Sequence, residues 1–509
     1  MTGNEITQPE KNNNLDTGTD TSGIFKNSVY NLLGYLLPIV FAIIFIPIII
    51  MGLGDEKFGV LNLAWIVIGY FSFFDFGLSR TLTKVVAEKI SLSEPETIPK
   101  VFWTSFYLTI GFSLIGTVLI LLTANFLVVD VFKISSNLQK DSINTFYLLA
   151  LSLPIVTTSA SLRGFLEAYH RFSIASIIKV VLGILTFTVP AIVLIFSDKL
   201  FLIVLFLVIV RLFIWLIYLA QCFRINPEIK QIRSIDTDTI KPLLKISSWM
   251  TVSNLIGPLI IYVDRFLIGA LISAVAITYY ATPYELITKI LVIPSAIVGV
   301  LFPTFSAASK NLESSKKIFD GGVKFIFLLI FPVVLVIIPF SNEILTTWLN
   351  QRFATESSFV LQILSLGVII NSIAYVPFTY LQGVGRPDVP AKIHILELSF
   401  YLVGMWFAIQ YFGINGAALV WCLRILVDSL AMFYACKKVM TMVLVPSTIL
   451  IIILSLPFPF LLILINNIFI KMIILLFLFI GFTLISWNFI LHRDEKEFLL
   501  SVINRIKKL

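Results

Sequence analysis

Apolar runs separated by short polar breaks recur from residue 27 to residue 490: 27–50, 59–78, 101–124, 143–163, 172–196, 200–221, 246–270, 276–305, 318–340, 357–382, 391–410, 413–435, 444–466 and 471–490. Each is long enough for the ~20 helical residues that cross a ~30 Å hydrocarbon core. None alternates apolar and polar positions as a membrane-spanning strand would. The pattern predicts an all-α integral membrane protein of about 14 transmembrane helices, numbered here as spans 1 to 14.

Composition strengthens this reading. Hydrophobic residues make up 58% of the chain and charged ones 13%, about half the charged fraction of a soluble domain. So much apolar surface needs lipid around it. Residues 1–22 are rich in Asn and Thr, too poor in large apolar groups to order themselves, and carry no cleavage-type signal; a disordered tail is expected. Lys and Arg crowd both tails and the even-numbered loops and are sparse in the odd-numbered ones. The positive-inside rule then places both termini in the cytoplasm, in a bacterial inner membrane. The net charge of +8 is thus a topology signal, and no nucleic-acid partner is expected.

The longest outer loops, near 125–142 and 341–356, leave no room for a catalytic domain. This disfavours a membrane glycosyltransferase or polymerase, which needs acid/base residues on substantial loops; no enzyme is expected. Cys222, Cys422 and Cys436 lack paired spacing, and His170, His394 and His492 are widely scattered, so neither disulfides nor metal sites are predicted. No G-x-x-x-x-G-K-[ST] loop occurs. Cofactors including ATP are not expected, and H+ or Na+ coupling stays open.

Two halves of the chain match in order. SLRGFLEAYHRF at 161–172 pairs with TYLQGVGRPDVP at 379–390, setting Gly164 opposite Gly383. VRLFIWLIYLAQCF at 210–223 pairs with LRILVDSLAMFYACK at 423–437, aligning Arg211 with Arg424 and Cys222 approximately with Cys436. Lys179 follows Gly164 by fifteen residues and Glu397 follows Gly383 by fourteen. Six spans per copy is an even number, so the copies share one orientation, related by an axis along the membrane normal. The expected domains are the 1–22 tail, an N-lobe of spans 1–6 (23–222), a C-lobe of spans 7–12 (223–440), appended spans 13–14 (441–490) and a basic tail (491–509).

Three blocks carry a family resemblance: GLGDEKFGVLNLAWIVIGYFSFFDFGLSRTLTKVVAEK at 52–89, DRFLIGALISAVAITYYATPYELITKILVIPSAIVGVLFPTFS at 264–306, and LQGVGRPDVPAKIHILELSFYLVGMWFAIQYFGINGAALVW at 381–421. Each resembles a hairpin of the polysaccharide-unit (Wzx-type, O-antigen and teichoic acid export) flippases of the multidrug/oligosaccharidyl-lipid/polysaccharide exporter superfamily. The resemblance implies two six-helix bundles around a cationic cavity, alternating access between the two membrane faces, and an appended pair of helices. Locally, the glycines of GLGDEKFG and GRPD permit sharp reversals, and their charges are expected to keep the turns in water.

Charges inside spans complete the picture. Lys179, Arg211, Arg265, Lys289 and Arg424 lie at depth with the carboxylates Asp75, Asp264, Glu285, Glu397 and Asp428. An ionised group there costs at least ~2.5–3.5 kcal/mol unless paired or hydrated. Spacing of i to i+4 pairs Glu285 with Lys289 and Arg424 with Asp428; depth lets Arg265 reach Glu285 across the span 7–8 hairpin, and Glu397 reach Arg424. Lys179 and Arg211 have fewer obvious partners. A polyprenyl-(pyro)phosphate-linked glycan must cross with its charge neutralised, and these cations suit phosphate oxygens. Tyr262, Tyr279, Tyr280 and Tyr284 read as interface anchors, and Gly257 with Pro258 as a functional hinge in span 7.

The expected function is a flippase moving such a glycan from the cytoplasmic to the outer leaflet for cell-surface polysaccharide synthesis, among membrane lipids and polysaccharide-assembly proteins. The alternatives are a drug or cation antiporter of the same superfamily, with a carboxylate-rich cavity, and a peptidoglycan-precursor flippase.

Overall fold

The computed structural model describes residues 21–70, 75–231, 260–308, 311–440 and 455–491, with residues 235, 240, 241, 243, 244, 495 and 496. Among them every regular element is helical. The first half holds α1 (Thr21–Leu53), α2 (Asp55–Tyr70), α3 (Leu78–Ser91), α4 (Ile98–Phe126), α5 (Ser136–Ala168), α6 (Phe172–Val193) and α7 (Leu200–Ile225). The second holds α8 (residues 260–271), α9 (Ala274–Thr288), α10 (Val292–Ala307), α11 (Leu312–Ile337), the short α12 (Ser341–Trp348), α13 (Gln351–Gly383) and α14 (Asp388–Met440); α15 (Ile468–Ile485) follows. Nine helices among the described residues are long and apolar enough to span a bilayer. Predicted span 7 falls largely outside the described residues, as does the expected hinge at Gly257 and Pro258, and predicted span 13 is described only from residue 455.

α14 runs for 53 residues, about 80 Å if straight. It folds back instead. Gly413 adopts φ 59° and ψ −143°, a conformation open to glycine. A Cβ on Gly416 would lie 2.1 Å from the Ala408 carbonyl oxygen, and one on Gly404 would lie 3.6 Å from the Val420 side chain. The two legs therefore pack antiparallel, as spans 11 and 12. Span 8 is broken as well. Pro294 has no N–H to bond the Ile290 carbonyl, and a 3-10 turn at Lys289–Leu291 separates α9 from α10.

Span 2 does not continue into the predicted loop at 79–100. Asp75 accepts hydrogen bonds from the Gly77 N–H (2.8 Å) and the Ser79 hydroxyl and starts a separate helix, α3, which buries Leu78, Thr81, Leu82 and Val86 on one face. That spacing was legible, but the low hydropathy of the segment masked it.

Among the described residues, packing forms three cores. One unites both halves at the end expected to face outward, joining Ile49, Phe58, Phe132 and Ile203 to Tyr280, Leu345, Phe353 and Met405. At the opposite end the halves have separate cores: Phe102, Phe165, Ile214 and Cys222 in the first, Phe305, Phe327, Val376 and Met432 in the second. Corresponding contacts recur in both. Gly164 on α5 lies against Ser79 and Thr83 of α3, and Gly383 on α13 against Phe302 and Phe305 of α10. The Cys222 thiol bonds the Leu162 carbonyl (3.4 Å) and the Cys436 thiol the Pro377 carbonyl (3.5 Å); all three cysteines are buried and reduced.

Candidate functional site

Between the two separate cores lies a cavity of about 1410 Å³. It takes Pro38 from α1, Arg163 from α5, Lys179 and Gly183 from α6, Arg211 from α7, and Tyr262 from α8. The second half contributes Tyr284 and Glu285 from α9, Lys289 from the 3-10 turn, Gly299 and Pro303 from α10, Tyr375 from α13, and Trp421 and Arg424 from α14. Among the described residues, five cations and one carboxylate face this space. Pro38 approaches α6 closely because residue 183 is glycine: a Cβ there would sit 2.8 Å from the proline ring.

Four of the five predicted cations line the cavity. Lys289 pairs with Glu285 at 2.8 Å, as the spacing implied, and the break after α9 turns it inward. Arg211 has no hydrogen bond or ion pair among the described residues. Arg163, which the sequence reading did not single out, lines the wall with Glu167 3.6 Å away. It ended span 4 inside a segment valued only as a repeat marker.

Arg265 is the exception. It is 1% exposed and lies behind the wall. Its Nη2 donates to Glu285 Oε1 at 3.0 Å, and its guanidinium lies 4.3 Å from the Tyr284 ring centre and 5.4 Å from that of Tyr262. Asp264 accepts from the Tyr280 hydroxyl at 2.8 Å. The hairpin geometry read from sequence holds, and it produces an enclosed pair with two aromatic covers.

Three expectations are corrected. Arg424 pairs with Glu397 at 2.8 Å, while Asp428 faces His394 at 3.5 Å; the antiparallel legs of α14 bring Glu397 closer to the guanidinium than its own helix does. Asp75 is bonded locally, to the Gly77 N–H and the Ser79 hydroxyl, and is not among the residues that line the cavity. Tyr279 and Tyr280, 5% and 0% exposed, lie within the protein and not at a lipid interface, because their hydroxyls are bound by Asp55 (2.6 Å) and Asp264.

The charged turn after α1 also does more than stay in water. Gly54 reverses the chain at φ 76°. Asp55 accepts from Tyr279, Glu56 from the Ser135 N–H and hydroxyl (2.8 and 2.9 Å), and Lys57 bonds Asp198 at 2.5 Å. A Cβ on Gly59 would lie 1.9 Å from the Ala274 carbonyl oxygen, and the Trp348 indole donates to the Ile43 carbonyl at 2.7 Å. The Asp55, Gly59 and Trp348 contacts join the two halves at the end expected to face outward. Two further buried cations were missed: Lys324, bound to Glu495 at 2.8 Å, and Lys471, bound to Glu343 (2.7 Å) and the Pro339 carbonyl (3.0 Å). Both tie the C-terminal segment to the second half.

Comparison with known proteins agrees with this architecture. Residues 24–309 match the family described as "Polysaccharide biosynthesis protein". The chain is 32% identical over 409 residues to the "Putative O-antigen transporter" of Shigella flexneri, spanning 80% of this chain and 96% of that protein. Its fold is similar to the lipid II flippase MurJ in an inward closed conformation (TM-score 0.68, 15% identity, 92% of this chain and 100% of that one). It is equally similar to a multidrug resistance MATE family transporter in an inward-facing conformation (TM-score 0.68, 14% identity, 81% and 98%). The chain belongs to the family described as "Polysaccharide biosynthesis protein" and is a membrane transporter.

Proposed function

We propose that the protein carries a polyprenyl-(pyro)phosphate-linked oligosaccharide across the membrane by alternating access, with the phosphate bound between Lys179 and Arg211. One observation carries this reading. In the second half, Arg424 holds the carboxylate of Glu397 at 2.8 Å; in the first half, the aligned arginine is Arg211, and Lys179 lies within one position of the place corresponding to Glu397. Both line the cavity. Where one half closes its arginine on a carboxylate, the other leaves Arg211 without one among the described residues and sets Lys179 in the same wall, which suits an anion brought by the cargo. A guanidinium without a protein partner beside an ammonium suits phosphate oxygens. A cationic drug would be repelled by the same wall.

The closed outward end and the open space between the two separate cores support a state that loads from the opposite face. Passage would then require the Asp55 and Trp348 contacts to part while the inner cores approach. The relative from Shigella flexneri carries O-antigen in its name, which favours a surface glycan over a peptidoglycan precursor as cargo. The test is complementation of a flippase-deficient strain together with flipping in proteoliposomes. Arg211→Ala should leave abundance unchanged and reduce transport at least tenfold, and Arg211→Lys should retain an intermediate rate. Undiminished transport by Arg211→Ala would remove the site.

A further inference from the structure

The hairpin at Gly413 assembles a cluster that spacing alone does not announce. His394 and Glu397 lie three residues apart on one face of the first leg of α14, and Asp428 meets them from the second leg. One ligand atom from each lies within 4.8 Å of the others. Glu397 Oε2 and Asp428 Oδ1 are buried without a hydrogen-bond partner, and the Glu397 side chain is 7% exposed. The imidazole stacks on Phe378, 5.9 Å between ring centres, which limits its rotation. Glu397 Oε1 is already held by Arg424. Two carboxylates meet one guanidinium and one imidazole, with His394 Nε2 3.5 Å from Asp428 Oδ1; with the imidazole neutral, one negative charge stays uncompensated at depth, a costly arrangement in a low-dielectric setting.

We propose that His394, Glu397 and Asp428 bind one divalent first-row metal ion of the zinc class. One imidazole nitrogen and two carboxylate oxygens form a ligand set for such ions, and closing the donors to ~2.0–2.2 Å from a central ion needs only small side-chain movements. Arg424 would then act as the outer partner that orients a ligating carboxylate. The ion would neutralise Glu397 and leave the Arg424 charge, which faces the cavity, available to an anion. By linkage, ion and anion would each raise the affinity for the other. This second statement rests on the proposed phosphate-linked cargo; the metal site itself does not.

The experiment uses the full chain purified without a histidine tag and stripped of metal, titrated with Co2+ and Zn2+. One Co2+ per chain should bind with visible ligand-field absorption. His394→Gln and Asp428→Asn should each weaken binding at least tenfold while eluting and melting like wild type in metal-free buffer; His170→Gln should bind normally. No saturable binding, or equal affinity in His394→Gln and Asp428→Asn, overturns the site. Farnesyl-diphospho-N-acetylglucosamine, a diester of constant charge near neutrality, should bind several-fold tighter with Zn2+ present, and equal affinity overturns the linkage. Failure of this probe to bind while Co2+ binding persists would sustain the metal site and count against the proposed cargo.

Discussion

At the scale of single residues, burial separates cations that face the cavity from those that hold the protein together. Arg265 ranked with Lys289 in the sequence because both lie at depth near Glu285. The structure encloses Arg265 behind Tyr262 and Tyr284 and leaves Lys289 on the wall. Removing one member of a buried pair strands the other, at a cost of ~3–5 kcal/mol. Arg265→Ala should therefore lower the amount of protein in the membrane, and adding Glu285→Ala should restore abundance, as quantitative immunoblotting of membranes would show. Normal abundance of the single variant would mean that Arg265 is not structural. The Arg265–Glu285 pair was legible because it depends on counting from one turn. The Arg424–Glu397 pair was only half legible, since helical spacing offered Asp428 equally well and only the fold of α14 decides between them.

At the scale of elements, glycine sets how closely helices approach. Gly416 lets the second leg of α14 touch the Ala408 carbonyl of the first, and a methyl group there has no room beside a backbone atom. Gly416→Ala should destabilise the purified protein by ~1–3 kcal/mol, the usual range for overpacking, visible as a lowered Tm. An unchanged Tm would show that the legs separate freely. Gly59 plays the matching part between α2 and α9. Gly59→Ala should hold the outward end apart and make residues near Asp55 and Ala274 more reactive to impermeant thiol reagents after cysteine substitution. Unaltered labelling would exclude α2 as part of that closure. The glycines stood out in the sequence, but spacing showed them only as turn formers; what they touch is set by helices far away in the chain.

At the scale of the whole molecule, one shared core and two separate ones leave the cavity lying between the halves. The outward assignment rests on the distribution of Lys and Arg, and is directly testable. Reporter fusions after residues 90, 235, 315 and 500 should read cytoplasmic, and fusions near 135 and 347 external. A C-terminus accessible to protease from outside would reverse the orientation. Trp348→Phe removes the indole donor to the Ile43 carbonyl while keeping an aromatic ring; it should loosen the outward end and raise thiol labelling near residue 350, with little effect on abundance.

The sequence by itself determined the helical membrane architecture and the family resemblance, because each is written in local hydropathy, glycine placement and short ordered motifs. It also determined that the interior would carry charge. Only the tertiary structure decided which charges meet. Pairing at depth depends on how neighbouring helices are rotated and how far they slide, and a change of one residue in either turns a side chain away from its partner. That is why Arg163 joins the cavity, Arg265 leaves it, and His394, set aside in the sequence as scattered, meets Glu397 and Asp428 within 4.8 Å.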